Sequence, residues 1–439
     1  MQVIIFRMAI SIKFINHASF LIIADSVRLV TDPWFESDVF NDGWSLLHED
    51  KNMNLAVLHP TDIWLSHEHP DHFNIATLSR IAQDIRSKIT VHIRQTKDDR
   101  VRSWCSRNGF TVEENIDGKA TDLGCGIKLT IYPVGIEDSA SLIEVGHIKV
   151  LNLNDCLFFS QKSLRKFAKM VGNVDYVTYL CGYAEGGGTK SDTTFRQNLF
   201  QLHMRRFEQM KEAFPTAQVV GFAAFKHFSH IENLFQNDHI SFRYVGDLIN
   251  KYPNTFRLVA PGDELTEVSQ SQSLAACDFW ENKLMSARPV TTLTPTVESE
   301  TLIAKAQNSV VKWKSNGRTW LHLASVLPAR LGIRALEFHV VDHNAILRLS
   351  LVGKSVLWTR TTSLTQLEGK IQVTSAALEH AVSYDFGLST LMINGRFETN
   401  DKTRRQLHRW AVISLLNAAG EKLNVKFLLA NAIRIARNI

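Results

Sequence analysis

The amino-acid sequence predicts a layered α/β protein followed by a smaller α+β region, and three observations carry that expectation. Short apolar runs with turn punctuation crowd the first 160 residues, with helical spacing between some of them. This argues for sheets covered by helices and not for a sandwich of strands alone. Residues 265–300 then turn to Ser, Gln, Thr and Pro, around SQSQSLAAC and PVTTLTPTVESE, the composition of a domain crossing. Beyond it the pattern resumes as helix, strands and helices. The length of 439 residues accommodates two or three cores. The expected organisation is a first domain over residues 1–265, a crossing over 266–296 and a C-terminal α+β domain over 297–439.

Taken in order, SIKFIN, SFLIIAD and VRLVTD predict an opening meander, DIWLS an apolar strand and SRIAQDIRSK a helix. KITVHIRQ, IKLTIYPVG, SLIEVG and HIKVLNLND continue the strands. Apolar residues recur at helical spacing from Phe195 to Phe214, and AQVVGFAAF reads as a buried strand. After the crossing come a helix at about 297–315, the strands ALEFHVVD, AILRLSL and SVLWTRT, and helical stretches at 402–419 and 421–438.

Composition excludes several classes. With 45% apolar and 21% charged residues the chain is neither collagen, coiled coil nor disordered. The net charge of +5 is too mild to argue for nucleic acid. It also arises at one end, since residues 402–439 hold eight Lys/Arg and one acid. Those basic helices read as a solvated face before an acidic partner or a membrane surface. Five scattered cysteines form no CxxC, which predicts a reducing, cytoplasmic setting. No Cys-x-His pair precedes a Cys-x-x-His, so no Rieske cluster is expected in this chain. The absence of an 18-residue apolar run and of a leader-like start predicts no integral membrane segment.

The chemistry concentrates in Ser66-His67-Glu68-His69-Pro70-Asp71-His72, directly after the apolar strand Asp62–Leu65. His67 and His69 stand two apart, so an extended segment turns both imidazoles to one side. Asp71 and His72 are adjacent and diverge, which suits two neighbouring metal positions. Three imidazoles and a carboxylate match zinc or non-haem iron, not calcium or magnesium. Other parts are expected at other strand ends. Asp32, in the TDPW turn, is placed to orient a ligand histidine; its plainer role is an Asx-turn before Pro33. Asp155 follows the strand Val150–Asn154, a place for a carboxylate bridging two metals or for a simple turn residue. His230 or His227, after the strand Ala217–Phe225, completes the second metal, with His230 preferred. His17 lines the site from the first hairpin or is a core histidine. His147 reads as a hairpin-turn residue and His92 as an outward-facing strand residue. Gly186-Gly187-Gly188-Thr189-Lys190, with Arg196 following, offers bare amides and a cation for a phosphate or substrate anchor; a flexible turn is the alternative. Trp34, Phe35 and Trp44 form a pocket wall or core.

Together these residues resemble the metallo-β-lactamase fold superfamily, through HxHxDH after a strand, TDP before it, and a strand-terminal Asp and His after it. A closer similarity, to the catalytic portion of CMP-N-acetylneuraminate hydroxylase and its relatives, runs through TDPWFESDVFNDGWSLLHED (31–50), DIWLSHEHPDHFNIATL (62–78), KVLNLNDC (149–156), GYAEGGGT (182–189) and FAAFKHFSH (222–230). A weaker echo continues through WLHLASVLPARLGIRALEFHVV (320–341) and FGLSTLMINGRFE (386–398). The resemblance implies an αββα sandwich with a dinuclear metal site at one edge. Its ligands would be His67, His69, Asp71, His72, Asp155 and His230, supported by Asp32. Two departures matter. The family hydroxylase has a Rieske domain to supply electrons. Zinc hydrolases of the superfamily place a histidine where this chain reads Gly135-Ile136-Glu137-Asp138-Ser139. Asp138, or else Glu137, replaces that histidine, unless neither acid touches metal. Oxygen-rich coordination favours iron over zinc.

Three functions follow. The first is a non-haem iron oxygenase hydroxylating a small polar metabolite, such as a nucleotide-linked sugar or another biosynthetic intermediate, with electrons from a separate protein. The second is a zinc hydrolase of an ester, amide or phosphodiester, with Asp71 positioning the attacking water. The third is a binding protein with a vestigial site, disfavoured by the intact HxHxDH motif. The oxygenase is narrowly preferred.

Overall fold

A computed structural model describes residues 10–135, 138–158, 160–315, 332–361 and 369–421, with 317, 319, 321, 322 and 325. Glu137, the helical stretch expected at 421–438 (Glu421 apart) and much of the echo at 320–341 lie outside the described residues.

The first half opens as expected, with β1 (Ile10–Asn16), β2 (Ser19–Ala24) and β3 (Val27–Thr31), followed by the short β4 (Trp44–Leu46) and by β5 (Asp62–Leu65). The single helix expected next is two short ones, α1 (Ile75–Ser79) and α2 (Gln83–Arg86). Arg86 explains the break, because its guanidinium caps the carbonyls of Ser79, Ile81 and Asn108 between and beyond them. β6 (Thr90–Arg94), α3 (Arg100–Arg107) and β7 (Thr111–Asn115) complete a six-stranded sheet in the order β1-β2-β3-β5-β6-β7.

The second sheet is built from β8 (Ala120–Gly124), β9 (Ile127–Pro133), β10 (Ser139–Val145), β11 (Ile148–Asn152), β12 (Tyr176–Leu180), β13 (Gln218–Phe222) and, beyond the short β14 (Lys226–Phe228), β15 (Phe256–Leu258). Its order is β15-β13-β12-β11-β10-β9-β8, while β14 pairs only with β4. The two sheets face each other through Phe14, Phe20, Leu129, Leu151 and Phe222, all buried. The Phe20 and Phe222 rings stack at 4.8 Å, and each such burial contributes about 1.5–3 kcal/mol. Outside the first sheet, α1 and α3 cover a second core around Leu78, Cys105 and Phe110. Outside the second lie α4 (Gln161–Val171), α5 (Thr193–Ala213), α6 (Arg243–Lys251) and α7 (Gln270–Ser286). The result is an αββα sandwich.

The polar composition of residues 265–300 had suggested a crossing, yet most of it is α7. Ser269 and Gln272 form a capping box at its start. Trp280 is fully buried in the first core and donates to the Val259 carbonyl at 2.7 Å. Apart from residues 268–269, only residues 287–298 of that stretch run without a helix. α8 (Ser299–Ser315), β16 (Leu336–Val340), β17 (Ala345–Leu349), β18 (Val356–Arg360), β19 (Ile371–Val373), α9 (Ser375–Ser383), α10 (Gly387–Asn394) and α11 (Asp401–Ala418) then form the smaller α+β region. It has its own core, with Trp313 edge-on to Trp410 at 5.8 Å. Among the described residues no helix is long and apolar enough to cross a membrane.

Candidate metal centre

The centre lies where the carboxyl ends of β3, β5 and β11 meet the β1–β2 turn. β3 and β5 are parallel neighbours, so Asp32 and Ser66 emerge side by side. The Asp32 amide donates to the Trp64 carbonyl at 3.0 Å, and Asp32 Oδ1 accepts from the Ser66 amide at 2.8 Å. After Ser66 the chain closes into a compact turn, with the His72 and Phe73 amides both donating to the His69 carbonyl. Asn74 then caps α1 and donates to the Pro70 carbonyl. These bonds orient the whole HxHxDH segment before any ligand is considered.

Two clusters result. His17, Asp71 and His72 form one, and His67, His69 and Asp155 the other. In the first, Asp71 Oδ2 is 3.4 Å from His17 Nε2 and 3.5 Å from His72 Nε2. In the second, His67 Nε2 and His69 Nδ1 are 2.8 Å apart. The clusters adjoin, with His72 Nε2 3.7 Å from Asp155 Oδ1 and the His67 and His72 rings 4.3 Å apart. Asp32 orients His72, its Oδ2 lying 3.0 Å from His72 Nδ1 and accepting from Asn154 Nδ2 at 2.8 Å. That leaves Nε2 facing the centre.

Burial lowers the His17 and His67 imidazoles, and burial lowers His69 as well. His72 goes the other way. Although burial opposes its charge, the carboxylates of Asp71, Asp155 and Asp32 raise it to about 10. Asp71 is correspondingly held below the usual carboxylate range, burial being outweighed by His72, His17 and His69. Asp138, just before β10, is pushed up to about 7 by burial and then by the charge of Asp155.

The centre fits metal ions. Both ring nitrogens of His17, Asp71 Oδ1, His72 Nε2 and Asp155 Oδ1 are buried without a hydrogen-bond partner. Unpaired, each costs about 1–3 kcal/mol; coordination would satisfy the two carboxylate oxygens, His72 Nε2 and one nitrogen of His17. Imidazole nitrogens mixed with carboxylates suit zinc or iron better than calcium or magnesium.

Several expected residues are placed elsewhere. His230 is in neither cluster. Its Nδ1 accepts from the Glu232 amide at 3.1 Å, and Glu232 is drawn away by Arg396 at 2.8 Å. His227 pairs with the Phe228 carbonyl at 3.3 Å. The glycine run is not an open cradle. The Gly186 amide donates to the Met392 carbonyl at 2.7 Å and the Gly187 amide to Gln236 Oε1 at 3.3 Å. A Cβ on Gly186 would stand 2.2 Å from Gly395 Cα, so the run is a close backbone contact with the C-terminal region. Lys190 is engaged by Glu398, and the buried Arg196 holds the carbonyls of Thr189 and Lys190. His92 is not outward-facing but buried, with Nε2 2.8 Å from Asp62. Trp34 is core, although its ring meets that of His17 at 4.9 Å.

Sequence reasoning passed over Lys226. It is 2% exposed, its Nζ lies 4.0 Å from the Trp44 ring centroid and 3.7 Å from that of Phe228, and it has no hydrogen-bond partner. Burial lowers the amine well below the ordinary lysine value, with Asp71 opposing. A lone Lys inside the apolar run FAAFKHF was the available signal. Beside His67 opens a cavity of about 260 Å³, walled by Glu68, Asp98 and Val101 on one side and by Ala419 and Glu421 of the C-terminal region on the other.

A beta-lactamase superfamily domain model matches residues 11–123, the stretch that holds His17, Asp32 and the whole HxHxDH motif. The fold is that of the metallo-β-lactamase superfamily. The inactive cytidine monophosphate-N-acetylneuraminic acid hydroxylase of Homo sapiens is 28% identical over 155 residues, 34% of this chain and 30% of that protein. The cytidine monophosphate-N-acetylneuraminic acid hydroxylase of Asterias rubens is 36% identical over 75 residues, 17% of this chain and 12% of that one. These matches span under a third of the relatives' length. CmlA, a diiron beta-hydroxylase from Streptomyces venezuelae, superposes with a TM-score of 0.42 at 16% identity, over 59% of this chain and 54% of that chain. A possible metal-dependent hydrolase from Veillonella parvula gives 0.43 at 13% identity, over 59% and 99%.

Proposed function

We propose that this metallo-β-lactamase-fold chain is a dinuclear iron oxygenase that hydroxylates a small polar metabolite. The observation that carries this reading is the carboxylate content of the centre: Asp71 and Asp155 each sit in one cluster, and Asp138, half-buried and in neither cluster, lies within the field of Asp155. Such an oxygen-rich donor set favours iron over zinc. His67, His69 and Asp155 would hold one ion, and His17, Asp71 and His72 the other. Bound iron would supply the activation of molecular oxygen. The protein's own part is orientation and exclusion of water: Asp32 fixes the His72 ring, and Trp34 backs His17.

The cavity beside His67 is the place proposed for the substrate. The names of the curated relatives support a nucleotide-linked sugar, or another biosynthetic intermediate of similar polarity, as its occupant. Electrons would arrive from a separate protein. The test is elemental analysis and optical spectroscopy of protein purified from iron-supplemented cells. Two irons per chain with an oxygen-sensitive chromophore are expected. Stoichiometric zinc with esterase or phosphodiesterase turnover overturns the reading.

A further inference from the structure

One side chain ties the metal loop to the C-terminal region. Arg100, the first residue of α3, sends Nε to Glu68 Oε2 and Nη2 to Glu68 Oε1, both at 2.8 Å. This is a bidentate fork, a geometry that fixes direction as well as distance. Its third nitrogen, Nη1, donates to the carbonyl of Ala418 at 3.0 Å, at the end of α11. The guanidinium plane also covers the Phe386 ring at 4.3 Å, and Asp98 lies 3.4 Å from Nη2.

Glu68 stands between the ligands His67 and His69 and turns away from them, toward Arg100. Its carboxylate is therefore one residue from two of the three donors in the His67/His69/Asp155 cluster. Among the described residues the His17/Asp71/His72 cluster shows no such tie: His72 is held by Asp32, inside the sandwich. The cavity beside His67 shares the Arg100 seam, with Glu68 on one wall and Ala419 on the other.

We infer that Arg100 is a positioning residue for the His67/His69/Asp155 cluster, transmitting the docking of the C-terminal region to both histidines through Glu68. The inference rests on the dinuclear reading of the site. It assigns the C-terminal region a share in building the centre, beyond walling the cavity. Lysine cannot reproduce the effect, because an ammonium offers a point charge in place of a planar fork.

The test is anaerobic titration of the metal-free full chain with Fe(II), and separately with Zn(II), in wild type, Arg100→Ala, Arg100→Lys and Glu68→Gln. Arg404→Ala serves as the control, since it removes a seam ion pair to Glu185 that does not involve the metal loop. Arg100→Ala and Glu68→Gln are expected to weaken one of the two equivalents by about tenfold or more, as loss of a ligand's outer support does, and to spare the other. Arg100→Lys should recover only part of that loss, and Arg404→Ala should bind both equivalents like wild type. Both equivalents within twofold of wild type in Arg100→Ala overturn the inference alone. So does equal weakening of both alongside a fall in melting temperature, the mark of a merely structural role. A wild-type chain that takes up fewer than two equivalents overturns the dinuclear reading and this inference together.

Discussion

The two clusters share one hexapeptide but are held by different parts of the molecule. His17, Asp71 and His72 are all buried, and their support comes from Asp32 and Asn154 within the sandwich. His69 and Asp155 are partly exposed, and the loop that carries His67 and His69 is braced from outside, by Arg100 and the C-terminal region. Candidate ligands adjacent in sequence thus rest on contacts of very different range. An inner site formed by the core should survive loss of the Arg100 brace, whereas an outer site should not.

The largest effect should follow Asp71→Ala, which removes a donor shared electrostatically with His17 and His72. Metal content by elemental analysis is expected to fall from two per chain to at most one. Two retained ions would break the division into inner and outer sites. Next, Asp32→Ala frees the His72 ring and should weaken the inner ion about 10–100-fold in chelator competition. If the outer ion weakens equally, the two are not separately supported. Gly186→Ala attacks the seam instead: its Cβ would stand 2.2 Å from Gly395 Cα and 2.9 Å from its nitrogen, backbone that cannot step aside. A loss of about 1–3 kcal/mol is expected in denaturant unfolding, with weaker binding confined to the outer ion.

Smaller effects come from protons. Asp138, at about 7 in the metal-free chain, must ionise before it can assist an ion. Outer-site affinity should therefore rise by about tenfold per pH unit below 7 and level above it, and Asp138→Asn should remove that dependence. The sign reverses for the metal-free fold. From the ordinary value of 3.8 up to about 7, the unfolded chain releases a proton that the folded chain keeps, so this group's contribution to stability falls as pH rises. Comparing unfolding of wild type and Asp138→Asn between pH 4 and 8 checks it. Last, Lys226→Met replaces a buried, unpartnered amine with an apolar chain of similar shape and should stabilise the fold by about 1 kcal/mol. Destabilisation would show instead that the Trp44 and Phe228 rings hold a charged ammonium.

What was legible in the sequence was local. The alternation His67-Glu68-His69 and the strand-end positions of Asp32 and Asp155 announce donors converging on one edge, because parallel strands deliver their carboxyl ends together. His17 was legible as lining the site but not as Asp71's neighbour, since that contact is made only when the first hairpin folds back over the loop. The glycine run misled for a physical reason: bare amides suit an anion and a close backbone contact equally, and only Gly395, 209 positions later, shows which they serve. His230 has the right residue type after the right strand, but Glu232 beside it is claimed by Arg396 from the C-terminal region. Nothing periodic marks Arg100. It is an exposed-looking first-turn residue whose partners lie 32 and 318 positions away.

The Arg100–Ala418 bond also has a consequence for biosynthesis. A chain emerging from the ribosome has delivered both sheets of the sandwich once Leu258 is out, and α7 ends at Ser286. The carbonyl of Ala418 follows about 130 residues later, a delay of roughly 7–26 s at ordinary elongation rates. During that interval the inner ligands can assemble and load while the outer loop still lacks its brace. If Arg100 braces the outer loop as inferred, the position of one carbonyl near the end of the described chain would order metal uptake in time, inner ion first.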